Sequence, residues 1–393
     1  MNIELSDRVN RVKPSPTLAV TARAAELRAA GKDVIGLGAG EPDFDTPEHI
    51  KEAAIAAIRN GFTKYTAVDG IPSLKAAVAA KFRKDNGLEY AADQILVSVG
   101  GKQSFFNLAQ ALLGPGDEVI IPAPYWVSYP DMVLLAEGVP VVVEAGIEQR
   151  YKMTPEQLEA ALTPKTKLVV INSPSNPTGV AYSREELRAL GDVLARHPQV
   201  LIATDDMYEH ILWCKEPFSN IVMACPDLYE RTIVLNGVSK AYSMTGWRIG
   251  YAGGPAKLIK AMKKVQSQST SSPTSISQVA AQAALEGDQS CVSEMLEAFK
   301  SRHDFVVGRL NDLDGVETIQ GDGTFYTFPS VQPVISRLDG IEDDVAFAEY
   351  LLNEAGVAVV PGSAFGSPGS IRISFATSMD NLEKSLDRIA GAL

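Results

Sequence analysis

The sequence predicts an α/β fold: a large domain around a mostly parallel, seven-stranded sheet, with a smaller α+β domain attached. Three observations lead there. Seven short runs rich in Val and Ile, at 95–99, 117–121, 139–143, 167–171, 200–204, 232–235 and 249–252, are apolar on both faces, as helix-covered strands must be. Helical patterns at 103–113, 154–162, 184–196 and 255–266 separate most of them, which favours parallel strands joined by crossovers. The 393 residues, 46% of them hydrophobic, are enough for one large α/β unit with a lobe.

The flanking elements follow in order. Leu18, Val20, Ala24 and Leu27 give a weakly amphipathic helix that Gly31 ends. The Gly-rich stretch 34–44 suits backbone lying close to another group rather than a helix. Thr46 and Pro47 are an N-cap and first-turn pair for a helix over 47–60, stopped at Gly61. A second helix is expected over 73–85, with Leu74, Val78 and Phe82 on one face. Beyond the sheet, a long helix at 289–312 leads into a hairpin-like region and a last helix near 380–392. The large domain is therefore assigned to 46–285, and the small one to 1–45 together with 286–393.

Composition narrows the function. A net charge of −12 argues against a nucleic-acid surface, which needs a positive face, and against binding to an acidic membrane. Cys214, Cys225 and Cys291 are odd in number and form no C-x-x-C pair, so a reducing cytoplasm is expected. Four histidines, none at H-x-x-x-H spacing, predict no metal site. The opening residues lack the apolar core of a secretory signal, and no apolar run has the length of a membrane span.

In open α/β sheets ligands bind beyond the carboxyl ends of the strands. The reactive residue types recur at that edge. Gly100, Gly101, Lys102 and Gln103 follow the first strand and open a helix, a place for an anion on backbone N–H groups. Trp126 follows the second strand, and Asn172–Asn176 the fourth. Asp205 and Asp206 end the fifth; a carboxylate there calls for a positive partner, and Asp206 is read as solvated. Ser239 and Lys240 follow the sixth, with Arg248 eight residues on.

Each feature alone is an ordinary turn or surface residue, but five at one edge make a site. A lysine that loses its proton readily can form a Schiff base, and an arginine fork holds phosphate. Asp205 suits a pyridinium nitrogen, and Asn176 and Tyr208 a phenolic oxygen. Gly101, Lys102, Gln103, Ser239 and Arg248 suit a phosphate dianion. This is a constellation for pyridoxal 5′-phosphate.

The segments 239–251 (SKAYSMTGWRIGY), 172–179 (NSPSNPTG), 39–47 (AGEPDFDTP) and 124–130 (PYWVSYP) resemble class I pyridoxal-phosphate aminotransferases of the aspartate aminotransferase family. The similarity is greatest to the bacterial branch that includes aspartate and aspartate/prephenate aminotransferases. It implies a fold-type I homodimer with shared active sites and one antiparallel strand in the main sheet. It further implies a ping-pong cycle through a cofactor–Lys240 aldimine, in which Asp205 and Tyr208 serve the cofactor and Trp126 stacks on its ring. By the same resemblance Arg372 holds the substrate α-carboxylate with Gly40 and Asn176, and Tyr65 reaches the neighbouring subunit's phosphate.

Two departures stand out. Asp205-Asp206 replaces the family's usual Asp-Glu, and residues 265–273 contain no arginine for a distal carboxylate. Lys13 and Lys102 match lysines of the bacterial branch and are expected to choose a dicarboxylate substrate. The donor is then aspartate or a related dicarboxylic or aromatic amino acid, with 2-oxoglutarate as acceptor. A prephenate or aromatic aminotransferase and a fold-type I lyase remain alternatives. A cofactor-sensing regulator is disfavoured by the charge.

Overall fold

The computed structural model describes residues 3–14 and 16–393. A short strand, β1 (Ile35–Gly36), precedes the main sheet of β2 (Ile95–Ser98), β3 (Glu118–Ala123), β4 (Val139–Glu144), β5 (Thr166–Asn172), β6 (Leu201–Asp205), β7 (Thr232–Gly237) and β8 (Gly250–Gly253). Their order across the sheet is β2-β8-β7-β6-β5-β3-β4. Only β8 runs antiparallel to its neighbours, β2 and β7. The remaining strands are β9 (Tyr326–Thr327), β10 (Val357–Ala358), β11 (Val360–Pro361) and β12 (Ile371–Ser374). The last lobe holds a three-stranded sheet β11-β12-β9, and β10 pairs with β1.

The expected helices are present, most within one or two residues of their predicted bounds, including Gly101–Leu112, Arg184–Ala195, Ala256–Ser267 and the long Ser290–Asn311. Six were not foreseen: the short Asp7–Asn10 and Ile221–Ala224, Gln332–Arg337 and Asp344–Tyr350 within the stretch expected to be hairpin-like, and two longer ones in the large domain. Ser128–Leu135 lies within the motif after Trp126, and Ser275–Glu286 follows a Ser-rich lead-in that masks its apolar face. A correction applies to Thr46. It does not cap the helix Glu48–Arg59; its hydroxyl donates to the Ser243 carbonyl at 2.7 Å and accepts from Trp247 Nε1 at 2.9 Å. That tie serves the loop after Lys240 instead of a helix end.

The sheet is buried on both faces except at its edge strand β4, where Val139 and Val142 are exposed, against the expectation that all seven strands are covered. On one side Leu74, Val78 and Phe82 pack with Ile95, Val97, Ile120, Val169 and Val234; on the other Phe105, Leu108 and Tyr129 pack with Val119, Ile121, Leu168 and Ile233. A second core joins Ile35 and Leu37 to Phe299, Phe325, Val357, Ile373 and Leu386. The helix containing Leu74 continues into a π-helical turn, Phe82–Asn86. There Phe82 stacks edge-on against Tyr90 and Tyr251, with centroids 5.1 and 5.7 Å away. We expect Phe82→Ala to cost about 3–5 kcal/mol in urea unfolding, because its surroundings are too rigid to refill the volume. A loss below about 1 kcal/mol would show the site collapsing freely.

Candidate active site

Parallel register sets Asn172 of β5 opposite Asp205 of β6, and Asp205 opposite Leu235 of β7. The strand ends therefore deliver Asn172, Asp205 and the Ser239–Lys240 turn side by side. They open into a cavity of about 390 Å³ whose walls include Gly40, Gly101, Lys102, Trp126, Asn176, Asp205, Tyr208, Ser239, Lys240, Arg248 and Arg372.

Lys240 is the centre. Its Nζ donates to the Gly40 carbonyl at 2.5 Å and lies 5.9 Å from the ring centres of both Tyr208 and Phe325. Burial, then the positive charges of Arg372 and Arg248, push its ammonium down to about 8, against the pull of Glu41 and Asp205. Asp205 accepts from Tyr129 Oη at 2.5 Å and from the Met207 amide at 3.2 Å. Burial raises its carboxyl, while Tyr129, the Met207 amide and Lys240 oppose the rise. Tyr208 shares a 3.0 Å hydrogen bond with Tyr326 Oη.

Arg372 is only 2% exposed. It donates to Asn176 Oδ1 at 2.9 Å and to the Gly38 carbonyl at 2.8 Å, and its guanidinium lies 4.4 Å from the Tyr326 ring centre. All four residues of β12 are buried, Arg372 among them. The Arg372 Nε is buried without a partner, which suits a ligand acceptor arriving there.

The helix start at Gly101 is built by close approach. Gly100 has φ +83°, and a Cβ on it would lie 2.3 Å from Arg248 Nη2; a Cβ on Gly250 would lie 2.3 Å from the Gly101 amide nitrogen. Glycine at both positions leaves room for backbone amides, Ser239 and Arg248 around an anion. Lys102 lies 5.2 Å from the Trp126 ring centre. Its ammonium is held below the ordinary value by loss of water and then by Arg248.

Three predicted residues stand apart. Gln103 does not line this cavity: its side chain accepts from the Val99 amide at 2.6 Å and donates to Thr270 Oγ1 at 2.5 Å. Lys13 lines an adjoining cavity of about 680 Å³ with Arg11, Arg23 and Asp131. Tyr65 is 94% exposed, away from this chain's own cavity. Asp206 corrects the expectation of a solvated carboxylate. It is fully buried and accepts from Thr204 Oγ1 at 2.6 Å and Asn220 Nδ2 at 2.7 Å. Burial, reinforced by Glu209, pushes it up to about 7.

Sequence reasoning missed Tyr129 and Tyr326, and gave Asn172 a place at the strand edge but no role. Tyr129 lies one helical turn beyond Trp126, a spacing that could have flagged it. Asn172 donates to the Asp205 carbonyl at 3.0 Å and accepts from the Asn176 amide at 2.9 Å. Tyr326 carried no signal beyond being aromatic.

The comparisons agree with this geometry. Residues 32–389 match the family model for aminotransferase class I and II. The chain belongs to that family. It is 62% identical to an aspartate/prephenate aminotransferase of Nitrosomonas europaea over 396 residues, covering 100% of both chains. With a Cereibacter sphaeroides protein of the same name it shares 58% identity, covering 98% of this chain and 97% of that one. Among solved structures, the aspartate aminotransferase of Rhizobium meliloti superposes with a TM-score of 0.96 at 51% identity, covering 100% and 99%. That of Thermus thermophilus with maleate gives 0.94 at 46%, covering 100% of both.

The low proton affinity of Lys240 has a consequence for the stability of the chain by itself. Lysine in the unfolded chain keeps its proton to about 10.4, whereas Lys240 in the fold releases it at about 8. The unfolded chain binds more protons between those values, so stability rises with pH across that window. We expect Lys240→Met to be more stable than wild type below about pH 8, both without added ligand, with the gap closing as pH approaches 10.5. Urea unfolding at both ends of the window measures it. An equal gap at both would show that the amine is not held low.

Proposed function

We propose that this aminotransferase is pyridoxal-phosphate-dependent, and that it moves an amino group between aspartate, or a related dicarboxylic or aromatic amino acid, and 2-oxoglutarate. The observation that carries the reading is Lys240, its proton affinity lowered to about 8, in one cavity with Asp205, the glycine-built anion cradle and Arg372. The relatives named for aspartate and prephenate support the substrate class.

The residues fit the cofactor. Asp205 would hold the proton on the ring nitrogen, Tyr208 and the Asn176 side-chain Nδ2 would meet the ring oxygen, and Trp126 would cover the ring. The Gly101 and Lys102 amides, Ser239 and Arg248 would take the phosphate, with Tyr65 of this chain reaching the site of a second copy in a homodimer. Gln103 is left out, since its side chain is committed to Val99 and Thr270. When bound, the cofactor supplies an electron sink for charge developing at the substrate Cα. Lys240 Nζ takes the Cα proton and returns it, a task its lowered affinity suits near neutral pH. Arg372 fixes the α-carboxylate through a fork already oriented by Asn176 and Gly38. Tyr129 keeps Asp205 in line through its short hydrogen bond.

Lys102, on the cavity wall, is the cation best placed for a distal carboxylate; Lys13 stands behind Val127, which lines both cavities. The division at about 46 and 285 belongs to the same proposal, supported by the core that joins Ile35 and Leu37 to residues 295–389. So does a cytoplasmic location, supported by the cysteine pattern. Among the described residues, no helix is long and apolar enough to cross a membrane.

Mixed with aspartate alone, the holoenzyme should release one equivalent of oxo acid per site and stop, without ammonia. A lyase would turn over repeatedly and release ammonia. Lys240→Ala should abolish both the reaction and the near-visible absorbance band of the bound cofactor; a retained band of wild-type shape would remove Lys240 from its role. Lys102→Ser should lower kcat/KM for aspartate relative to alanine by roughly 10-fold or more, the worth of a charge-assisted hydrogen bond. An unchanged ratio would move substrate choice elsewhere.

A further inference from the structure

Directly behind the turn that carries Asp205 and Tyr208 lies a set of buried charges that no step above uses. Asp205 and Tyr208 line the cavity, while Asp206 and Glu209 are buried among side chains of the large core, 0% and 6% exposed. The Glu209 carboxylate is matched group for group. Lys81 forms an ion pair with it, Asn86 Nδ2 donates to it at 2.9 Å and Asn236 Nδ2 at 2.8 Å. His210 Nε2 stands 3.4 Å away at the rim. Lys81, itself 6% exposed, also donates to Asn86 Oδ1 at 2.7 Å. Asp85, Glu209 and His210 approach one another closely enough to suggest a metal site, but the Lys81 ammonium already supplies the positive charge there.

The partners come from three segments. Lys81 precedes the π-helical turn and Asn86 ends it, Glu209 ends the turn after β6, and Asn236 belongs to β7. Asn236 stands four residues ahead of Lys240, and its Oδ1 also accepts from the Gly237 amide at 2.7 Å. One carboxylate thus ties the segment bearing Asp205 and Tyr208 to the strand delivering Ser239 and Lys240, from the side opposite the cavity. We propose that Glu209, held by Lys81, is a positioning residue: a strut that fixes the separation between the Asp205–Tyr208 pair and Lys240.

The chemistry argues against a purely stabilising role. A buried ion pair gains little over well-packed apolar residues, because removing two charges from water offsets their attraction. What it does impose is direction, since each oxygen of Glu209 has a fixed donor on a different segment. Asp206, the other inward-facing acid of the turn, is held separately by Thr204 and Asn220, so Lys81 acts on the turn through Glu209. The proposal rests on the reading of the site as a pyridoxal-phosphate transaminase.

The test uses holoenzyme and three variants. Lys81→Met combined with Glu209→Leu removes both charges while roughly keeping volume; Asn236→Ala cuts only the link to β7; Lys81→Arg keeps the charge. We expect the double variant and Asn236→Ala to fold with a lowered thermal midpoint, since each leaves buried polar groups unpaired, and to lose roughly 10- to 100-fold in kcat with little change in KM while shifting the pH midpoint of the cofactor's visible band. Lys81→Arg should retain that midpoint. If the double variant does not fold, Asn236→Ala alone decides. Wild-type kcat and wild-type spectral midpoint in a folded variant overturn the strut. A wild-type protein with no cofactor band, or no amino transfer, would instead overturn the functional reading.

Discussion

The structure depends on bringing ionised groups to the end of a sheet that is otherwise apolar. Lys240 sits where burial and two arginines disfavour its charge, and Asp205 where burial disfavours its own. Each is tolerable only because the others are there. The parallel register does the placing. Once β5, β6 and β7 pair as they do, Asn172, Asp205 and the turn leading to Lys240 emerge at one level. A slip by one residue would turn Asp205 into the core.

The second lobe completes what the sheet begins. Arg372 comes from β12, far along the chain, yet its donors reach Asn176 from the large sheet and Gly38 from the N-terminal stretch. Tyr326 links the two halves again, against Arg372 on one side and Tyr208 on the other. The cavity is therefore a product of both cores.

Much of this was legible in the chain itself. Strands of this sheet announce themselves as apolar runs, even β4 with its exposed edge, and all seven fall within two residues of their predicted ends. Lys240, Asp205, Arg248 and the glycine pair were readable because their types are costly or unusual at a strand end. What escaped depends on distant partners. Thr46 looks like a helix cap until Ser243 and Trp247 arrive to claim it. Asp206 looks like a surface acid until Thr204 and Asn220 are seen to satisfy it. Gln103 reads as part of an anion site because its position is right, yet its side chain turns to Val99 and Thr270. Tyr326 had no local pattern at all, since its role comes from packing between lobes.

The central claim is that these strand ends form one site for one phosphate-bearing cofactor. A crystal structure of the protein grown with pyridoxal phosphate tests it most directly. The account predicts density continuous with Lys240 Nζ, a phosphate against the Gly101 amide, Ser239 and Arg248, and a ring nitrogen within hydrogen-bond reach of Asp205. Cofactor bound elsewhere, or in this cavity with its ring nitrogen turned away from Asp205, would contradict it.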